Sequence, residues 1–482
     1  MRFFPFQLRY SAEISAFLLF CLLIFGSVWL LTYVQVALTA TITLFIALTL
    51  AGYWLSSHTA RVLNDQRLSI LGTFWVIKVS LTILLLYAGW IPDLDPLSSQ
   101  RWGHDPQRYF QDAPRLIEND WRPSVVNYQG IIFYYAGIFY LFGHNPVIPA
   151  LINAFVTLLG TLFLIRCAYS LVQERAPKDW TIAFLLLVPE VLWYDVMTSR
   201  ETLMAVLIIV ATLATGRLMV GADYKSRLHA FILILTMMLA ILAVRTSMIL
   251  PVFGCLVIMS VVLRGRNGSG RILKVVLVAC SFVVLMLGPN VQQLMGGYDI
   301  DYLAGIERVQ SFEKNIASEM EWREKSIGLL LAPNSLWQSI VLLPPRMLLY
   351  LAAPLPIISV SLDDLIDGNR ITWEMLMTIP TAVITLLGFP YVLAATLQAW
   401  RQRKSHSPAL VLPIVFWSIF AAVAGGNIII HERYRVMSSL LMFATMWWGF
   451  TRCRRIDVQS IAYVWFFLLG IGALFSIGYK IL

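Results

Sequence analysis

Charge is what this chain has least of. Charged residues make up 13% of its 482 positions, about half the roughly 25% of a soluble domain, and that shortage excludes an ordinary cytosolic enzyme. Cysteine is also sparse. The five present, Cys21, Cys167, Cys255, Cys280 and Cys453, lie in or beside apolar segments without CxxC pairing, so neither a disulfide framework nor a cysteine zinc site is indicated. His104 and His431 have no H-x-x-x-H or comparable spacing to support a metal centre. The first apolar run, from near Ser11, lacks an obvious cleavage site and reads as a retained helix. No internal repeat is visible, which weighs against an inverted-repeat transporter.

Apolar residues are abundant, at 59%, and many runs reach the roughly 20 residues a helix needs to span a bilayer. The expected fold is all-α: one polytopic transmembrane bundle over residues 1–482, with about 13 spans. These are read at 14–35, 37–55, 68–91, 147–172, 180–197, 200–219, 229–245, 247–264, 272–290, 374–398, 409–428, 434–450 and 459–480. The net charge of +9 is no nucleic-acid footprint, because its excess lies in short clusters between apolar runs, as topology signals do. "RGRNGSGRILK" at 264–274, "RQRK" at 401–404 and "RCRR" at 452–455 belong in the cytoplasm on that rule. Segments 92–146, 291–335 and 427–433 then face outward.

That orientation leaves an odd number of crossings between 335 and 401, yet there are two apolar candidates, 336–361 and 374–398. The first holds Pro344, Pro345, Pro354 and Pro356, each removing a backbone donor. Irregular backbone at membrane depth survives only against protein or a wet cavity. Residues 336–361 are therefore expected to be re-entrant or interfacial, forming with 291–335 a second outer region over 291–373.

The polar segment 101–130, "RWGHDPQRYFQDAPRLIENDWRPSVVNYQG", sits in the first outer loop. Asp105 followed by Pro106 is a helix start, and helical spacing puts Asp105, Arg108, Tyr109 and Asp112 on one face. "IIFYYAGIFYLFG" from Ile131 is short and aromatic, which suits an interfacial helix. Trp90, Trp102, Trp121 and Tyr128 could stack on sugars or form an aromatic belt.

"HDPQRYFQDA" resembles the first outer loop of polytopic GT-C glycosyltransferases, the superfamily of protein mannosyltransferases and lipid A aminoarabinose transferases. Asp105, Tyr109 and Ala113 match the family pattern, with Pro106 where a second acid usually stands. "YLFGHNPVIPALINAFVTLLGTLFLIRCAYSL", "VPEVLWYDVMTSRETLMAVLIIVATLA" and "HERYRVMSSLLMFATMWWGF" are similar to later family stretches, in the family's order. The resemblance implies a polyprenyl-phosphate-linked sugar donor, an envelope glycan, lipid or protein acceptor, and inversion by single displacement. It also implies an active site on the periplasmic face of a bacterial inner membrane.

Such chemistry needs a base for the acceptor hydroxyl and positive charge for the departing phosphate. Asp105 is the expected base. Arg433, Arg435, Arg245, Arg200 and Arg346 are the expected phosphate ligands, since a guanidinium fork matches phosphate oxygens. Tyr109, Asp112, Asp195, Glu201, Glu432 and His431 are candidates for orienting substrate. The structural alternative is local pairing: Arg200 with Glu201 or Asp195, and Arg433 with Glu432. Metal use stays open between none and a divalent cation, Mg or Mn, held by Asp105 with one other acid. Two rivals remain. One is a polysaccharide polymerase or ligase using a polyprenyl-diphosphate-linked glycan. The other is a transporter or flippase, ranked lower because most charges cluster at span edges.

Overall fold

A chain this apolar must satisfy its backbone amides internally, and every element among the described residues is a helix. The computed structural model describes residues 37–87, 104–122, 129–172, 180–220, 224–245, 248–262, 331, 336–353, 373–401, 410–426 and 432–481. The expected spans at 14–35 and 272–290, and most of the second outer region, lie outside them.

The first elements are α1 (Ala37–Val62), α2 (Ile70–Tyr87), α3 (His104–Glu118), α4 (Gln129–Phe142) and α5 (Val147–Val172). A 3-10 segment, Trp180–Leu187, precedes α6 (Pro189–Val196), α7 (Glu201–Val220), α8 (Tyr224–Val244) and α9 (Ile249–Val262). The remainder are α10 (Leu336–Val341), α11 (Leu343–Ala352), α12 (Trp373–Arg401), α13 (Val411–Gly426), α14 (Glu432–Arg452) and α15 (Arg455–Ile481). Six stretches are long and apolar enough to cross a bilayer: Ala40–Val62, Gln66–Leu86, Val147–Tyr169, Arg227–Val244, Met377–Arg401 and Arg455–Leu474. Gly130–Phe142, Glu201–Gly216 and Val411–Gly425 are apolar but shorter. The fold is thus all-helical, with several helices of the kind a multi-pass membrane protein uses.

Three elements differ in detail from the sequence reading. Helix α3 opens at His104, one residue before the expected cap. The run at 180–197 is one expected span but two pieces, a 3-10 turn and α6. It breaks at Val188, whose backbone is extended (φ −60, ψ 117), just before Pro189. The apolar segment from 336 forms two short helices of 6 and 10 residues, and neither alone is the length of a crossing.

Helices α14 and α12 meet closely. A side chain at Gly449 would overlap the Tyr391 carbonyl, so only glycine lets the backbones approach there. In α12, Pro390 lies inside the helix and can offer no amide to the carbonyl four residues back, that of Leu386. Trp465 of α15 donates its indole N–H to that oxygen at 2.8 Å. The same device occurs in α3, where Pro114 orphans the Phe110 carbonyl and His144 Nε2 bonds it at 3.3 Å.

Trp465→Phe keeps most of the packed area but strands the Leu386 carbonyl. The expected loss is about 1–3 kcal/mol, the cost of an unsatisfied buried acceptor. It is read as a lower unfolding midpoint in detergent.

Candidate functional site

Polar side chains gather at one end of the bundle, where the turn 197–200 joins α6 to α7. Arg200 and Glu201 are both buried. Glu201 opens α7, where a carboxylate is favoured by the helix dipole, and accepts the Arg200 backbone N–H at 3.1 Å. Its carboxylate also lies 3.8 Å from Arg200 Nε and interacts with the charges of Arg433 and Arg245. Arg245 follows the last residue of α8, and its guanidinium stands 5.0 Å from the centre of the Tyr434 ring. Arg433, in the first turn of α14, sits 4.9 Å from the same ring and donates to the Tyr434 hydroxyl at 2.9 Å. Three guanidiniums therefore converge on one carboxylate from α6–α7, α8 and α14, two of them flanking the Tyr434 ring.

The turn carrying Arg200 also touches α3. Thr198 Oγ1 donates to the Pro106 carbonyl at 2.5 Å, one residue from Asp105. The backbone of Asp105 thus adjoins the arginine cluster; its side chain and that of His104 lie outside the described residues, as do His431 and the Glu432 side chain.

Further along α3, Asp112 is buried and held by its own helix, 3.3 Å from Arg108 and 3.3 Å from Arg115. Tyr109 is buried as well. Trp121 stacks on Phe133 and meets Tyr140 edge-on, which ties the end of α3 to α4. His144, in the bend between α4 and α5, fits between Phe110 and Phe139, with ring centres 4.3 and 4.8 Å away. Burial lowers its pKa, with the Phe110 carbonyl acting in the opposite sense.

The remaining arginine candidates serve other partners. Arg435 is fully buried and its Nε lies 3.1 Å from Glu190. Its Nη1 donates to the carbonyls of Tyr350, Leu351 and Ala353 at 3.0, 3.0 and 2.7 Å. These close the C-terminal end of α11, whose last carbonyls have no helical partner. Arg346 likewise donates to Ala424 near the end of α13 at 2.8 Å, and to Leu331 at 2.8 Å. Both are engaged in holding helix ends, so the cluster that gathers is Arg200, Arg245 and Arg433.

Asp195 belongs to a different centre, and its partner is not Arg200. Lys78, in the body of α2, reaches its Oδ2 at 2.6 Å, with both side chains fully buried. Thr157 donates to Oδ1 at 2.6 Å. Lys78 and Glu190 escaped the sequence reading, although a lysine inside an apolar run and an acid beside Pro189 were both visible. Such residues are costly in a bilayer unless partnered. These two ion pairs depart from the rule that charge sits at span edges. Among the described residues no three His, Cys, Asp or Glu side chains group closely enough to hold a metal ion. No protein-family model, curated protein or solved structure matches the chain.

Two measurements test these contacts. Lys78→Met leaves the Asp195 carboxylate buried and uncompensated, an expected loss of about 3–5 kcal/mol. The double variant Lys78→Met/Asp195→Asn recovers most of it, read by thermal unfolding in detergent. For His144, a folded pKa below the unfolded value means the unfolded state takes up the proton first as pH falls. Its stabilising contribution is complete above about 6.5 and lost below it. Wild type is expected to lose more stability than His144→Gln between pH 7.5 and pH 5.5.

Proposed function

We propose that the chain is a membrane glycosyltransferase of GT-C type. It moves a sugar from a polyprenyl-phosphate carrier to an envelope glycan, lipid or protein acceptor at the periplasmic face of a bacterial inner membrane. The observation that carries this reading is the convergence of Arg200, Arg245 and Arg433 beside the α3 end that bears Asp105. Three guanidiniums gathered beside that end suit an anionic ligand, and a lipid phosphate matches their planar forks.

In this mechanism the Asp105 carboxylate takes the proton of the acceptor hydroxyl as its oxygen attacks the anomeric carbon. The bond from that carbon to the phosphate oxygen breaks, and the electron pair leaves with the phosphate. Arg433, Arg245 and Arg200 stabilise the growing charge, and the anomeric centre inverts. Tyr109, Asp112 and Glu201 orient the substrates, a role extended to His431 and to Glu432 at the start of α14. Arg435 and Arg346 support the site by fixing the ends of α11 and α13, and Asp195 by fixing the end of α6.

A polymerase or ligase using a diphosphate-linked glycan would draw on the same cluster, and the choice of donor separates the two. A transporter or flippase is favoured by one observation, the two ion pairs buried on the broken segment 180–196, since interrupted spans with internal charge mark transport sites.

The test is a panel of polyprenyl-phosphate and polyprenyl-diphosphate sugars, presented to the purified protein with envelope acceptors. Release of polyprenyl phosphate is expected from the monophosphate donors. Asp105→Asn should slow transfer roughly 10²- to 10⁴-fold, and Arg433→Ala should weaken both donor binding and rate. Unchanged transfer by Asp105→Asn sinks the base assignment. No release from any donor, with lipid-linked sugar crossing a vesicle membrane instead, replaces the enzyme with the transporter.

A further inference from the structure

The turn 197–200 is irregular backbone surrounded by apolar helices, and it carries Arg200. The Met197 carbonyl accepts the Ser199 amide at 2.8 Å and the Arg200 carbonyl the Met204 amide of α7 at 2.9 Å, and side chains supply further donors to the turn. The α5 side chain Asn153, buried in an otherwise apolar stretch, is one of them. Its Nδ2 donates to the Met197 carbonyl at 2.9 Å and approaches the Asp195 carbonyl at 3.4 Å. The same amide donates to the Tyr135 hydroxyl at 3.1 Å, and Tyr135 in turn donates to the Ser199 carbonyl at 2.7 Å. The amide oxygen of Asn153 accepts from Tyr134 at 3.4 Å. Both amide hydrogens and the oxygen of Asn153 are thus engaged, and the donor–acceptor chain runs in one direction into the turn.

Two further contacts complete the frame. Thr157, one helical turn beyond Asn153, bonds Asp195 at 2.6 Å, so α5 grips both ends of the segment. Thr198 carries the turn onto the Pro106 carbonyl of α3. The hydroxyl of Tyr135 therefore sits between the Asn153 amide of α5 and the carbonyl immediately before Arg200.

We propose that Asn153 and Tyr135 are positioning residues for the proposed transfer site: they clamp the Met197–Ser199 backbone so that Arg200 is held in register with Arg245, Arg433 and the Asp105 end of α3. This rests on the glycosyltransferase reading and deepens it. Neither residue touches the substrate; each acts through the placement of Arg200. The hydroxyl of Tyr135 fixes the Ser199 carbonyl and hence the direction of the following peptide. Without it, the turn can rotate, and the guanidinium of Arg200 leaves the group that binds phosphate. Asn153 sets the hydrogen-bonding polarity of that hydroxyl, because an N–H donated to the oxygen leaves its proton for Ser199.

A double-mutant cycle separates this role from simple support of the fold, since coupled residues depart from additivity and independent ones do not. The full-length protein in detergent is titrated with polyprenyl monophosphate. The variants are Tyr135→Phe, Asn153→Leu, Arg200→Ala and each pair with Arg200→Ala, with unfolding midpoints measured in parallel. Tyr135→Phe is expected to weaken binding roughly tenfold in the wild-type background, equal to about 1.4 kcal/mol, and to have no further effect once Arg200 is removed. Asn153→Leu should behave alike; if it fails to fold, Tyr135→Phe alone decides. An equal loss in both backgrounds, or a lower midpoint with unchanged binding, overturns the positioning role and leaves the glycosyltransferase reading intact. If wild type does not bind polyprenyl monophosphate while Arg200→Ala matches it, the phosphate site itself fails and the positioning role falls with it.

Discussion

The guanidinium of Arg435 ties three helices together, and the packing around the α6 segment depends on that tie. Its Nε meets Glu190 of α6, its Nη1 closes the end of α11, and its own backbone belongs to α14. Ser439, one turn further along α14, donates to the same Glu190 oxygen at 3.2 Å. The Glu190 amide, an orphan at the start of α6, donates to Thr381 of α12 at 3.1 Å. Each of these groups would be expensive to bury alone, and together they supply one another's missing bonds. The break at Val188 is sustained for this reason. A break inside a buried apolar segment frees backbone groups from helical bonding, and the surrounding helices answer with side chains aimed at them.

The same constraint recurs at smaller scale. Proline inside α3 and inside α12 removes an amide, and an aromatic N–H from a neighbouring element replaces it, His144 in one case and Trp465 in the other. Arg166 of α5 donates to Thr59 of α1 at 2.8 Å, and Tyr169 donates to Asp65 at 3.0 Å. These contacts do more than satisfy atoms. Because each donor must come from one direction, they fix the rotation of one helix against the next, which apolar packing alone leaves loose.

Against that background the arginines divide by what they bond. Arg346 and Arg435 have backbone carbonyls arrayed around them and serve the protein itself. Arg200, Arg245 and Arg433 gather near the Glu201 carboxylate, the last two beside the Tyr434 ring. Helix-end carbonyls hold the first pair, and the second group meets a carboxylate and a ring, so the same residue type does two kinds of work in one bundle.

The amino-acid sequence by itself determined the solvent this protein is built for and the helical character of its segments, because apolar run length and charge scarcity are local properties. It also marked the polar helix after the third run, and the stretches "SRET", "AVRT" and "HERYR" whose arginines meet in space. Only the tertiary structure decided which arginines are consumed by helix ends, and that Asp195 pairs with Lys78 and not with Arg200. It alone brought Asn153 and Tyr135 to the turn before Arg200. Those outcomes rest on contacts between residues far apart in the chain, 245 positions for Glu190 and Arg435. No local pattern records which of several buried charges will face which. The geometry of helix packing settles that, through distances over which a charge is either answered or left exposed.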